Sequence, residues 1–237
     1  MYEPRYYRKK MKAIDLLPFS VCTAETDLKI FAEQELMHQA LFSVTKYRQQ
    51  LVNYIAKRPS FLKSLKPLEQ DFSAPVIVQH MIEVTQKVNV GPMAAVAGAI
   101  AQYLGKDLLK YSSEIIIENG GDIFMHSSKT RYMAVHSKNQ QVDPVLEIEP
   151  VTGGQGICTS AGTLGHSLSY GNADAVVVRA NDTLLADATA TSIGNMVKTH
   201  KDINLALSYA KSVTGITGIL ITINKHLGAW GNIKFKE

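Results

Sequence analysis

Asp187 and Thr191 stand four residues apart in ADATATSIGN, residues 186–195. On a helix that spacing projects both side chains from one face. A carboxylate and a hydroxyl are hard oxygen donors of the kind that suits Mg²⁺. Upstream lie two turn-forming stretches, Asn119-Gly120-Gly121-Asp122 and Thr159-Ser160-Ala161-Gly162. Backbone N–H groups in such turns can cradle a phosphate. A helix with two oxygen donors beside two such turns would hold a divalent cation and a phosphate-bearing ligand.

Each piece also has a plainer use. Asn119 to Asp122 makes a hairpin turn, because Asn and Gly tolerate positive φ; its functional use would bring backbone N–H groups, Asp122 or Glu118 to a ligand. The alanines at 186, 188 and 190 leave a slim helix that packs closely on a sheet or a cofactor, and Asp187 near its start would complement the helix dipole. Asn181 or Asp182 suits the cap. Ser160 and His166 could serve as nucleophile and base, but no Gly-x-Ser-x-Gly elbow is present, so a hydrolase is the lesser reading. Cys158 reads as a buried, inert thiol. His80, His126, His136 and His166 are scattered, without a zinc signature.

The elements that must position these groups follow from periodicity. Residues 5–12 and 17–31 read as strands, the latter turning at Ala24 and Glu25. Helical spacing runs from Glu33 to Lys57 and stops before Pro59. VIVQHMIEVTQKV is a second helix, with Asn89 as its stop. Gly91-Pro92-Met93 opens a third, ended by Gly105; Gly98 permits a close neighbour there. SEIIIENGGDIFMHS is the clearest hairpin. RYMAVHS, PVLEIEP, GICTS, DAVVVRA, GILITI and NIKFK are strands, and Leu184 to Met196 and Asp202 to Ala210 are helices. The fold class is α+β, with antiparallel sheets and packed helices. A single domain over 1–237 is expected, with a weak sub-boundary near residue 70 at the proline-bearing connector.

The chain has 237 residues, 46% apolar and 19% charged, an ordinary soluble composition. Its net charge of +4 is uneven: residues 1–66 hold 12 Lys/Arg against 6 Asp/Glu. Arg5, Arg8, Lys9, Lys10 and Lys12 read as the solvated charges of an edge strand rather than a nucleic-acid patch. Tyr2, Tyr6 and Tyr7 alternate with them and read the same way. Cys22 and Cys158 form no CxxC pair, which argues against a disulfide scaffold and for a cytoplasmic protein. MYEPRYYRKK has no apolar core, so no signal peptide is expected. No apolar run reaches membrane-spanning length. Neither nucleic acid nor membrane is an expected partner.

Five motifs in this order resemble the ApbE superfamily, whose best-known members are FAD:protein FMN transferases. They are ETDL (25–28), GPMAAVAGAIA (91–101), ENGGDI (118–123), GICTS-x-GT-x-G (156–165) and ADA-x-AT-x-IGN (186–195). The resemblance is nearer still to an uncharacterised bacterial and archaeal branch, and covers nearly the whole chain. It implies an ApbE-like, T-fold-related fold with a cleft between layers. It implies Asp187 and Thr191 as Mg²⁺ ligands, with a backbone carbonyl near Met93 or Ala94. It implies Asn119, Gly120, Gly121, Asp122, Thr159, Ser160 and Gly162 along an FAD or FMN site, and a protein threonine as acceptor. The chain departs from the transferases in having Ala95-Val96 in place of their Lys-Gly pair, and His166 alone where they carry a His-rich stretch. Two other readings stand beside transfer. One is a metabolic enzyme acting on a small anionic substrate, through Cys158 or His166. The other is a non-catalytic assembly protein, joined as a homo-oligomer through its edge strands.

Overall fold

The structure is a computed structural model, and it describes residues 8, 11, 13–135, 144–160 and 171–236. Strands β1 (Leu17–Thr23) and β2 (Thr26–Ala32) form a hairpin about Ala24, whose φ is 48°. Three helices follow: α1 (Met37–Lys57), the single turn α2 (Ser60–Lys63) and α3 (Val76–Lys87). A 3₁₀ turn over Pro92–Ala95 leads into α4 (Val96–Leu108). Then come β3 (Ile115–Asn119), β4 (Asp122–His126), β5 (Arg131–Ala134), β6 (Val145–Ile148), β7 (Gln155–Ser160) and β8 (Ala175–Ala180). Helix α5 (Thr183–Met196), helix α6 (Ile203–Ser212), and strands β9 (Ile216–Ile223), β10 (His226–Gly231) and β11 (Lys234–Phe235) complete the chain.

Eight strands form one sheet in the order β1-β2-β3-β4-β7-β8-β9-β10, every neighbour antiparallel. A three-stranded sheet, β11-β6-β5, lies against one face of it, and the helices cover the other. Successive strand residues alternate between faces. Ile115 and Ile117 of β3 therefore enter the helix-side core, whereas Ile116 enters the core beneath the small sheet. Val176 and Val178 against Val177 on β8 do the same. With both faces covered, β8 is buried at every position, which is why it reads as an unbroken apolar run. The helix-side core extends from Phe19 to Ile223 and draws residues from both sides of position 70.

Several sequence expectations shift. Gly105 does not end α4, which runs on to Leu108. A Cβ at Gly105 would sit 2.2 Å from the Phe124 ring, so the glycine admits that ring rather than breaking the helix. Strand β10 was not anticipated; Asn224, with φ 53°, turns β9 back into it. Of the expected strand over 5–12, Arg8 lies in a 3₁₀ turn and Met11 outside any strand; the other positions fall outside the described residues. Among the described residues no helix is long and apolar enough to cross a membrane.

Candidate functional site

The site is built where α4 and α5 meet the ends of β3, β4 and β7. Two glycines allow that approach. A Cβ at Gly98 of α4 would lie 2.5 Å from the Thr183 carbonyl oxygen, and one at Gly156 of β7 would lie 2.4 Å from Thr183 Cα. The first turn of α5 is thus wedged between helix and sheet. Asp182 caps it, accepting from the Leu185 N–H at 3.1 Å and contacting His80 Nε2 at 2.7 Å. The Thr183 N–H donates to Gln102 Oε1 at 2.7 Å, satisfying a helix-start donor inside the core.

One turn further, Asp187 is buried, and its Oδ2 accepts from the Gly98 N–H at 2.8 Å. It therefore lies in the second turn of α5, not the first, and the helix dipole is served by Asp182 instead. Asp122 approaches from the sheet. The strand period sets it on the same face as Phe124, toward the helices. It accepts from the Thr159 N–H and the Cys158 thiol, and it lies within the field of Asp187. Both carboxyls are held above the usual carboxylate range. Burial pushes Asp187 up to about 7, against the hydrogen bonds from Gly98 and Ala97. Burial pushes Asp122 up as well, and the neighbouring Asp187 charge adds to it. Cys158 is fully buried, and burial followed by these two carboxyls pushes its thiol up. That agrees with an inert thiol, since a reactive one needs its thiolate favoured.

The glycine turn borders this pair. Gly120 and Gly121 take φ of 70° and 105°, the left-handed region that side chains avoid. Asn119, opposite Asp122 in the hairpin, donates from Nδ2 to the Ala97 carbonyl at 3.1 Å and ties the turn to α4. The Gly121 N–H, expected to face a ligand, is instead donated to Glu118 Oε1 at 3.0 Å. Thr159 touches this turn: a Cβ at Gly121 would stand 3.7 Å from the Thr159 carbonyl oxygen. Thr159 is half-buried and Ser160, the last residue of β7, is buried. Thr191 is half-buried one turn beyond Asp187, and Ala94 is half-buried in the 3₁₀ turn before α4. Gly162 and His166 lie outside the described residues.

Asn119, Gly121, Asp122, Thr159 and Asp187 are thus brought together at one corner of the sheet. The donors there are carboxylate, hydroxyl and carbonyl oxygens, beside a thiol held protonated, and that chemistry fits Mg²⁺. Among the described residues no three His, Cys, Asp or Glu side chains converge as a ready metal cluster. Mg²⁺ characteristically takes one or two carboxylates and completes its shell with water and phosphate, so a pair is compatible with it. Gly98 and Cys158 also contribute to this corner: Gly98, expected to admit a close neighbour, admits the first turn of α5, and Cys158, expected as a buried thiol, donates to Asp122.

A sequence model described as AbpE bacteria matches residues 8–218. The chain belongs to that family. Relatives of the chain include a UPF0280 protein of Methanococcus aeolicus, 34% identical over 221 residues, covering 90% of this chain and 89% of that protein. A UPF0280 protein of Methanocaldococcus jannaschii is 39% identical over 197 residues, covering 80% of each. Among solved structures, the apo flavinyl transferase ApbE of Pseudomonas stutzeri superposes with a TM-score of 0.58 at 14% identity, over 91% of this chain and 94% of that one. The flavin transferase ApbE of Vibrio cholerae gives 0.59 at 10% identity, over 92% and 97%. At such identities the likeness is one of fold: the antiparallel sheets and packed helices here are ApbE-like.

Proposed function

We propose that this protein binds a flavin nucleotide with the help of Mg²⁺, in the manner of an FMN-transferase-like enzyme. The observation that carries the reading is the pair of buried, facing carboxyls, Asp122 and Asp187, at the rim of the glycine turn. Two acids held in one dry pocket repel one another once ionised, and a divalent cation relieves that repulsion.

Asp187 would hold the cation, with Thr191 from the same helix face and a backbone carbonyl near Ala94. When bound, Mg²⁺ would supply polarisation of phosphoryl oxygens. The chain's own groups orient the rest. The Gly98 N–H fixes the Asp187 carboxylate, and the Thr159 N–H and Cys158 thiol fix Asp122. Gly120 and Gly121 present no side chain, so a nucleotide can approach the backbone beside Asn119 and Thr159. Since the Gly121 N–H is spent on Glu118, phosphate contacts would fall to other donors, such as Ser160. The acceptor would be a protein hydroxyl from a partner. The residues present fit the phosphate end of the ligand.

Titrating the protein with FAD, with Mg²⁺ and with chelator, tests this reading. Mg²⁺-dependent binding that Asp187→Ala abolishes is expected. Absence of binding by the wild type would remove it, and stabilisation by a small anionic metabolite alone would favour the other enzyme reading.

A further inference from the structure

Arg8 sits on the opposite face of the sheet from the two carboxyls, yet it is tied to the same turn. Its Nε donates to Glu118 Oε2 at 2.5 Å, Nη1 to Asp27 Oδ1 at 2.7 Å, and Nη2 to the Asp27 carbonyl at 2.7 Å. The guanidinium thus bridges β2 and the last turn-ward residues of β3. The Glu118 side chain is only 1% exposed and that of Asp27 9%, so both carboxylates lack a full hydration shell. Burial works against the charge of Arg8, and the Glu118 and Asp27 carboxylates more than offset it.

Glu118 passes this tether on. Its second oxygen accepts the Gly121 N–H. Two consecutive glycines have the widest backbone freedom available, so a turn built from them holds one shape only if something outside it does the holding. The connection runs from Asp27 through Arg8 and Glu118 to Gly121. Across the hairpin, Asn119 and Asp122 flank that turn and project to the helix side. The ETDL and ENGGDI motifs, far apart in sequence, lie on the paired strands β2 and β3, and this side chain links their carboxylates. A lysine could neutralise the charge, but as a point donor it could not reproduce the fork that reaches both strands.

We propose that Arg8 is a positioning residue: its fork holds Glu118 under the Gly121 amide, fixing the glycine turn that joins Asn119 to Asp122. The consequence for ligand binding rests on the flavin-nucleotide reading above; the consequence for the turn does not.

Hydrogen–deuterium exchange on the full chain separates the two. Arg8→Gln should raise exchange in peptides covering residues 118–122 by about tenfold, the scale of one charge-assisted hydrogen bond, while α6 peptides stay at the wild-type rate. Arg8→Gln combined with Glu118→Gln should return the turn toward wild-type exchange, because a glutamine oxygen still accepts from Gly121 and needs no cation. FAD affinity measured with Mg²⁺ should fall and recover in step. Unchanged exchange at 118–122 in Arg8→Gln, or an equal rise in α6, would overturn the proposal. Should Arg8→Gln fail to fold, Arg8→Lys carries the test, and wild-type exchange in that variant would overturn it. A wild type that binds no FAD would strike the functional reading, and the exchange comparison would still decide the role of Arg8.

Discussion

Gly98→Ala adds a single methyl group at the contact between α4 and α5. By helix propensity alone, alanine should stabilise the helix by up to about 1 kcal/mol. The structure predicts the opposite sign. The new Cβ would meet the Thr183 carbonyl oxygen at 2.5 Å and Asp187 Cβ at 2.9 Å. The first is a backbone atom at the start of a helix anchored by Gln102 and Asp182, so it cannot swing aside. Restoring ordinary contact requires the helices to part by about 1 Å, and overpacking of this kind costs roughly 1–3 kcal/mol. The same parting stretches the 2.8 Å bond from the Gly98 N–H to Asp187 beyond hydrogen-bonding range. Losing it adds about 1 kcal/mol or more. With the propensity gain subtracted, the net loss is about 1–3 kcal/mol, a fall in Tm of roughly 2–12 °C for a chain of this size. Urea denaturation of the two proteins measures the free energy and thermal melts the Tm. A Gly98→Ala protein as stable as the wild type, or more so, would refute the close-packing account of Gly98 and Asp187.

Two further outcomes are expected. Asp187 has its folded pKa raised to about 7, above that of an unfolded aspartate, so its contribution to stability is present at low pH and is lost as pH rises through about 7. Thermal melts without metal should therefore fall from pH 5 toward pH 8 more steeply in the wild type than in Asp187→Asn, and Mg²⁺ should restore the loss in the wild type alone; parallel curves with no Mg²⁺ effect would contradict this. Glu114 is shifted the other way: against the cost of its burial, bonds from Ser127, Ser128 and Arg131 hold its pKa down to about 2. Its contribution is complete above the ordinary glutamate pKa and disappears as pH falls toward 2, so Glu114→Gln should flatten the acid limb of a stability–pH profile.

Local signals read well where one face or one turn dominates. Gly120-Gly121 marks the hairpin because glycine takes its positive φ without strain, and β8 is visible as a buried apolar run. The Asp187 and Thr191 spacing placed both on α5 for the same periodic reason. What escaped was set by distant partners. Gly105 looked like a helix stop, since nothing local shows that Phe124 occupies the space of its missing Cβ. Strand β10 (HLGAWG) has glycines and an exposed face, so its pairing with β9 leaves no alternating pattern. Arg8 belonged to a basic cluster that local logic gives to solvent, yet its carboxylate partners lie 19 and 110 residues away. The Gly121 N–H reads as free for a ligand, but Glu118, three residues back, takes it.

The central claim is that the Asp122 and Asp187 corner holds a divalent cation together with a flavin nucleotide. Crystals grown with FAD and Mn²⁺ in place of Mg²⁺ test it most directly, because manganese is located by its anomalous signal. The account predicts an anomalous peak within bonding distance of an Asp187 carboxylate oxygen, with nucleotide phosphate density on its far side beside residues 119–122 and 159–160. Bound FAD remote from that corner, or a corner without manganese at saturating FAD and Mn²⁺, would contradict it.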